Sequence, residues 1–326
     1  MQVSDRVGRR MKLHDLHVLM AVVQAGSMSK AAALLNTTQS AVSRSIAELE
    51  HTIGARLLDR DRQGVEPTQY GRALLKRGVV VFDELKQGVQ DIEFLSDPGV
   101  GELRVGSNPA MSEGIVLTVI EKLSRQYPRV VFHVAPGGTP ALFDELRARR
   151  IELGFAQLSG VHAEEDMDQD VLFEERLVVV ASMENPWARH RKIKLAELVN
   201  EPWTWPSAGT AFDARIVEAF RESGLQPPRA TVYTDAINMR TKLAANGRFL
   251  AVVPAYIMRF PEHPSLKVLP IELPTTHRQI GIITLKNRML SPLAQLFIDC
   301  AQDIAKTLAK GQAPTDRAKN ISTRNS

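Results

Sequence analysis

Between residues 13 and 51 the apolar positions recur every three or four residues, in three runs separated by short polar turns. Leu13, Leu16, Leu19, Met20 and Val23 share one helical face, and the run stops at Ala25-Gly26, where glycine supplies a C-terminal stop. Ser29 offers an N-cap for a second helix, Lys30 to Leu35, in which Ala31 and Ala32 are small enough for close helix contact. Asn36-Thr37 makes a tight turn, and Thr38 caps a third helix from Gln39 to about His51. There Val42, Ile46 and Leu49 fall at i, i+4 and i+7, a stripe expected to be buried. The period then shortens. Ile53 to Leu58 and Val65 to Thr68 read as two short strands around Asp59-Arg60-Asp61-Arg62-Gln63-Gly64, a β-wing beside the helices.

From Thr68 to about Leu95 there is no proline, and a helix of that length spans on the order of 42 Å. Leu75, Phe82 and Val89 are spaced by seven, with Leu85 and Ile92 three residues after the last two. This is a heptad seam flawed at Gly78, expected either to pair two chains or to pack on the chain's own body. Asp97-Pro98-Gly99-Val100-Gly101 breaks the helix. Strand and helix patterns then alternate. Strands are expected at Glu102–Gly106, Val130–Val134, Ile151–Ala156, Leu177–Ala181, Leu250–Val253 and Gly281–Thr284. The intervening helices fall near Ile115–Tyr127, Leu142–Arg149, Ala214–Ser223 and Ile237–Ala245, with a last one at Pro292–Leu308. Such alternation indicates an α/β body with a mostly parallel sheet. Residues 311–326 carry no period and read as a disordered tail.

Composition narrows the class. The 326 residues are 44% hydrophobic and 24% charged, enough for two or three globular units. Cys300 is the one cysteine, so an intrachain disulfide and a cysteine-based zinc site are both excluded, and its neighbours Leu296, Phe297, Ile304 and Leu308 mark it as a buried thiol. No apolar run approaches the roughly 18 residues of a membrane helix. The basic N-terminus is not a secretory signal, because His14, Asp15 and His17 sit where its apolar core belongs. A cytoplasmic protein, with no membrane partner, is expected. Residues 1–10 carry no pattern, which makes Met11 an alternative start. Residues 1–77 hold 12 Lys and Arg against 7 Asp and Glu, a net of +5, so the remaining chain is net −1. The basic surplus lies entirely in the first quarter, as in a polyanion-binding head on a neutral body.

The third helix turns Gln39, Ser40, Ser43 and Arg44 away from its apolar stripe, side chains suited to base edges and phosphates or simply to solvent. Its setting favours the former. Ser27, Ala31-Ala32, Leu35, Thr38 to Ile46, Leu49-Glu50, Ile53-Gly54, Leu57 to Arg60, Pro67-Thr68 and Gly71 form one ordered pattern. In it, Leu13 to Gly71 resembles the winged helix-turn-helix of LysR-type transcriptional regulators. Ser40 stands where many relatives have proline, and both suit a first helical turn. The resemblance implies that Gln39, Ser40, Ser43 and Arg44 enter the major groove while Arg60 and Arg62 reach the adjacent backbone or minor groove. Ser29, Thr38 and Thr68 complete the candidate DNA-contacting set. It also implies that the long helix pairs two chains through Leu75, Phe82, Leu85, Val89 and Ile92. A dimer or tetramer on a pseudo-palindromic double-stranded DNA site, in contact with RNA polymerase, then follows.

The expected fold is thus α joined to α/β: a winged helix-turn-helix at 1–67, a linker helix and hinge at 68–98, and a body at 99–310. The body resembles the LysR effector-binding domain, two-lobed and periplasmic-binding-protein-like, with one lobe at about 101–171 and 275–310 and the other at about 172–274. The chain would cross between lobes near Asp170–Leu172 and Leu273–Thr276. Ligands of such sheets bind beyond the strand ends, against helix N-termini. The candidate effector contacts are Ser107, Asn108, Met111, Thr139, Gln157, Ser207 and Thr210, with Trp205 either stacking on a ring or sugar face or packing in the core. No arginine falls in these turns, which disfavours a dianionic ligand. Neither a nucleophile elbow, a phosphate loop nor a metal-ligating motif is found, so no enzyme, metal or cofactor is expected. The eight histidines form no cluster. A solute-binding component of a transport system and a non-specific architectural DNA-binding protein are the competing readings. The attached basic head disfavours the first and the cleft-forming body the second.

Overall fold

The computed structural model describes residues 7, 9–60, 64–158, 164–260, 265–274 and 276–310. Arg62, Ser159 and the tail 311–326 lie outside them. The chain divides into two units, 1–89 and 90–326.

The first unit contains α1 (Leu13–Ala25), α2 (Met28–Leu34), α3 (Gln39–Ile53), β1 (Leu58–Arg60), β2 (Val65–Pro67) and most of α4 (Gln69–Ser96). Leu16, Leu19 and Val22 of α1, Ala31 and Ala32 of α2, and Val42, Ile46 and Leu49 of α3 meet in one core. Gly26 and Gly54 end α1 and α3 in the left-handed conformation, at φ 66° and 80°. α2 begins two residues earlier than expected, with Ser27 rather than Ser29 at its N-cap, because burial of Met28 draws the first turn into the core. The wing is the antiparallel pair β1–β2, with Leu58 opposite Pro67. Both Leu57 and Leu58 N–H groups donate to the Glu50 carboxylate, at 2.7 and 3.2 Å, which ties the wing to α3.

α4 starts against this wing at Gly71, where a Cβ would stand 2.1 Å from the Leu57 carbonyl oxygen, so only glycine fits. The heptad seam divides along α4. Leu75 and Phe82 pack on the three-helix core of their own unit, and Gly78 is buried against Leu16. Gly78 is therefore a contact point for α1. Leu85, Val89 and Ile92 are exposed, as are Val81 and Leu95.

The second unit carries two five-stranded sheets. Its strands are β3 (Val100–Ser107), β4 (Arg129–Pro136), β5 (Leu153–Leu158), β6 (Met167–Glu175), β7 (Leu177–Ser182), β8 (Trp203–Trp205), β9 (Val232–Tyr233), β10 (Leu250–Pro254), β11 (Leu266–Val268) and β12 (Arg278–Leu285). Lobe I has the order β4-β3-β5-β12-β6 and lobe II the order β11-β7-β10-β8-β9. Besides three short 3-10 turns among the described residues, the helices are a turn at Pro109–Met111, a π-helical turn at Ser112–Val116, α5 (Leu117–Gln126), α6 (Thr139–Arg147), α7 (Ala211–Glu222), α8 (Ile237–Ala245) and α9 (Pro292–Lys310). Phe155 and Phe297 anchor the larger lobe I core, which takes in buried Cys300, and Trp203, Trp205 and Phe220 anchor lobe II.

Two expectations need correction. The sheets are mixed rather than mostly parallel. β12 returns from lobe II and inserts antiparallel between β5 and β6, while β7 pairs antiparallel with β10 and β11. The first crossing also falls later than Asp170–Leu172. β6 stays paired with β12 as far as Glu175, by way of a bulge at Ile280/Gly281, and the chain passes to lobe II at Arg176. At Gly281 a Cβ would lie 2.3 Å from the Asp170 carbonyl oxygen, so the bulge depends on glycine. The return lies between Leu273, in the lobe II core, and the start of β12 at Arg278.

Candidate functional site

In the first unit, the turn of Asn36 (φ 50°) and the Thr38 cap set the start of α3 beside α2. Thr38 Oγ1 accepts from Ala41 N at 3.3 Å and lies 3.0 Å from the Ser40 hydroxyl. Ser29 donates to Gln39 Oε1 at 3.0 Å, and Arg60 of the wing donates to the Ser43 hydroxyl at 3.5 Å. Ser29, Thr38, Gln39, Ser40, Ser43 and Arg60 are thus brought together, joined by three side-chain contacts. Arg44, one turn beyond Ser40, is exposed and makes no ion pair among the described residues. Thr68 stands apart, because its hydroxyl donates to the Arg56 carbonyl at 2.7 Å and accepts from Gly71 N at 3.1 Å. That hydroxyl anchors the start of α4. A polar face at the N-terminal half of a second helix, backed by a buried stripe, is the shape that enters a major groove.

In the second unit a cavity of about 310 Å³ opens between the lobes. Asn108, Met111, Thr139, Gln157 and Thr210 line it, as expected. Ser107, Trp205 and Ser207 do not. Ser107 is fully buried and donates to the Asn108 carbonyl. Trp205 packs edge-on against Trp203 and Phe220 and donates to Asp213. Ser207 is turned so that its N–H donates to Asp235 at 2.9 Å. The first residues of α6, α7 and α8 all reach the cavity, so three positive helix ends converge there.

Positive charge comes from helix bodies, not from the turns. Arg215 of α7 and Arg240 of α8 line the cavity, together with Glu175, Phe212, Asp235 and Tyr256. The turns themselves hold no arginine, as read from the sequence, and both cations enter the site from helices instead. Each arginine lies on the apolar stripe of its helix, Arg215 beside Ile216 and Ala219, Arg240 beside Ile237 and Ala244. A cation on a buried stripe was the available signal. Arg215 bridges the lobes, donating to Gln157 at 2.7 Å and pairing with Glu175 at 3.3 Å. Burial outweighs that pairing and raises the Glu175 carboxyl to about 7, while it pulls the Arg215 guanidinium down. Arg240 donates to the Val252 carbonyl, lies 4.9 Å from the Phe212 ring centroid, and is lowered by burial to about 10, so it stays charged at neutral pH. Burial also raises the Glu113 carboxyl, which accepts from the Asn238 backbone in the other lobe.

A basic helix-turn-helix joined in one chain to a two-lobed body with a polar cleft defines a DNA-binding regulator that carries its own sensor. Comparison with known proteins agrees. Residues 13–72 match the bacterial regulatory helix-turn-helix of the LysR family, and residues 96–306 match the LysR substrate binding domain. The chain belongs to the LysR family of transcriptional regulators. It is 26% identical over 300 residues to the uncharacterized HTH-type transcriptional regulator YdcI of Escherichia coli K12, covering 92% of this chain and 97% of that protein. Its fold is shared with a cysteine-to-aspartate variant of full-length OxyR from Pseudomonas aeruginosa (TM-score 0.62, 20% identity, 90% and 95% of the two chains). The same holds for full-length CbnR complexed with its target DNA (TM-score 0.59, 22% identity, 90% and 99%). Among the described residues no helix is long and apolar enough to cross a membrane, and no three His, Cys, Asp or Glu side chains are grouped so as to hold a metal ion.

Proposed function

We propose that this regulator binds a pseudo-palindromic DNA site as a dimer or tetramer and changes its hold on promoter DNA when a small molecule occupies the inter-lobe cleft. The observation that carries the reading is the cleft itself, where Arg215, Arg240 and three helix ends converge on a cavity large enough for a compact metabolite. Gln39, Ser40, Ser43 and Arg44 read base edges, and Arg60 holds the backbone. CbnR, whose structure includes its target DNA, supports this use of the shared fold. Leu85, Val89 and Ile92 supply the helix face that pairs two chains. The effector is a carboxylate, aromatic or sugar-like metabolite. It acts by binding one lobe arrangement more tightly than another, which shifts the oligomer between states that bend DNA differently and contact RNA polymerase differently.

Fluorescence anisotropy with the intergenic DNA upstream of the chain's own gene, against random duplex over a salt series, tests the reading. Binding at least a hundredfold tighter than random, with a steep salt slope, is the expected result. Equal, weak binding to this and to genome-selected fragments would favour the architectural alternative.

A further inference from the structure

The polar lining of the cleft constrains its occupant more than the cavity's shape does. Glu175 Oε2, Arg215 Nε, Arg240 Nε and the Tyr256 hydroxyl are buried and make no hydrogen bond among the described residues. All four residues line the one cavity, and each is 5% exposed or less. A buried polar atom left unsatisfied is costly, the more so when charged, so such a set calls for an occupant. The two Nε atoms are N–H donors and require acceptors. Glu175 Oε2, once the carboxyl ionises above about pH 7, accepts and requires a donor. The Tyr256 hydroxyl, kept protonated by burial and by the nearby Glu175 and Glu113 carboxylates, adds a further donor.

Pairing narrows this further. Arg215 Nη2 and Glu175 Oε1 hold the two side chains together at 3.3 Å, so one compact ligand that carries an acceptor and a donor close together suits the pair. The charges of Arg215 and Arg240 are matched by Glu175 and by solvent-exposed Asp235, which suits a zwitterion or a monoanion and not a dianion. Met111, Phe212 and Ile237 leave an apolar wall for the remainder. Building on the cleft as the effector site, we propose that the effector is a small carboxylic acid bearing a hydrogen-bond donor, ammonium or hydroxyl, on the carbon next to the carboxylate. The carboxylate engages Arg215 and Arg240, the neighbouring donor engages Glu175, and the side chain rests on the apolar wall.

Calorimetric titration of the full chain tests this with three matched series: α-amino acids, 2-hydroxy acids and the unsubstituted acids, each with methyl, isopropyl, isobutyl and benzyl side chains. The expected result is that, for at least one side chain, the amino or hydroxy acid binds tenfold or more tighter than the unsubstituted acid. Comparison of those two arms identifies which donor is used. Glu175→Gln should cut the preference to threefold or less. Tyr256→Phe, which keeps the ion pair intact, should weaken both substituted and unsubstituted acids. Equal binding of substituted and unsubstituted acids would overturn the proposal, as would binding confined to a control panel of neutral amides and monosaccharides. A neutral ligand that shifts operator affinity would leave the regulator reading standing while this one falls. Failure of operator binding, scored separately by anisotropy, strikes at the regulator reading instead.

Discussion

Glu175, at the end of β6 in lobe I, meets Arg215, on α7 in lobe II, at 3.3 Å with both side chains almost wholly buried. This ion pair belongs to neither lobe's core, so it stands or falls with the arrangement of the two. Removing water from both partners costs more than the pairing returns, which is why the carboxyl rises to about 7 although it faces a cation.

That rise has a definite sign in stability. The native state holds the Glu175 proton more tightly than an unfolded chain with its ordinary value of 4.5. The resulting stabilisation is full below 4.5 and is lost as pH climbs through about 7, on the order of 3 kcal/mol across the window. Glu175→Gln lacks this dependence. All three tryptophans, Trp187, Trp203 and Trp205, lie in the second unit, so urea unfolding followed by their fluorescence reports that unit. The stability of the wild type relative to Glu175→Gln should fall between pH 4.5 and 7; a flat difference would show that the carboxyl keeps its ordinary acidity.

On DNA, Arg44→Ala and Arg60→Ala should separate base reading from backbone holding. Arg44→Ala should remove about 1–3 kcal/mol of preference for the operator while sparing random duplex. Arg60→Ala should weaken both and lower the salt slope by about one. Parallel losses for Arg44→Ala on the two duplexes would end its base-reading role.

The exposed half of α4 makes a separate forecast. Leu85→Glu with Val89→Glu places charge on a face that is exposed in its own chain, so folding should be unchanged within about 0.5 kcal/mol. Sedimentation should then show monomers at concentrations where the wild type is dimeric. Phe82→Glu should behave differently, because Phe82 packs on the three-helix core beside His17 and its loss destabilises the unit itself. Wild-type assembly by the double variant would place the pairing surface elsewhere.

Gly71→Ala tests the junction of wing and linker. The added methyl would lie 2.1 Å from the Leu57 carbonyl, a backbone atom held by its bond from Thr68 N. A loss of about 1–3 kcal/mol in the first unit is expected, read by its thermal melting. Gly88→Ala on the same helix meets nothing within 4 Å and should be neutral or mildly stabilising.

What was readable in the chain follows from which signals are local. The α3 stripe of Val42, Ile46 and Leu49 and the strand Leu177–Ser182 declare themselves, because one face or both faces are apolar. β6 does not, since Asp168, Gln169 and Asp170 sit on an edge strand whose partner, β12, arrives more than a hundred residues later. The cleft divides the same way. Asn108, Thr139 and Thr210 were found because turn chemistry marks helix starts. Arg215, Arg240 and Glu175 were missed because their partners lie across the cleft, a relation that spacing along one helix cannot express. The sequence leaves Trp205 between cleft and core, and its indole takes the second place, completing the aromatic cluster beneath.

The place where the chain changes lobes bears on how such a sensor diversifies. Leu177 N donates to Thr276 Oγ1, and Thr276 in turn donates to the Leu273 carbonyl, so the outgoing and returning segments are fastened to each other at the boundary. Lobe II is therefore a single uninterrupted insert with both ends at one doorway, and Thr210, Phe212, Arg215 and Arg240 travel inside it. Genetic exchange of that one segment between relatives would replace half of the recognition chemistry in a single event, leaving the host sheet uncut.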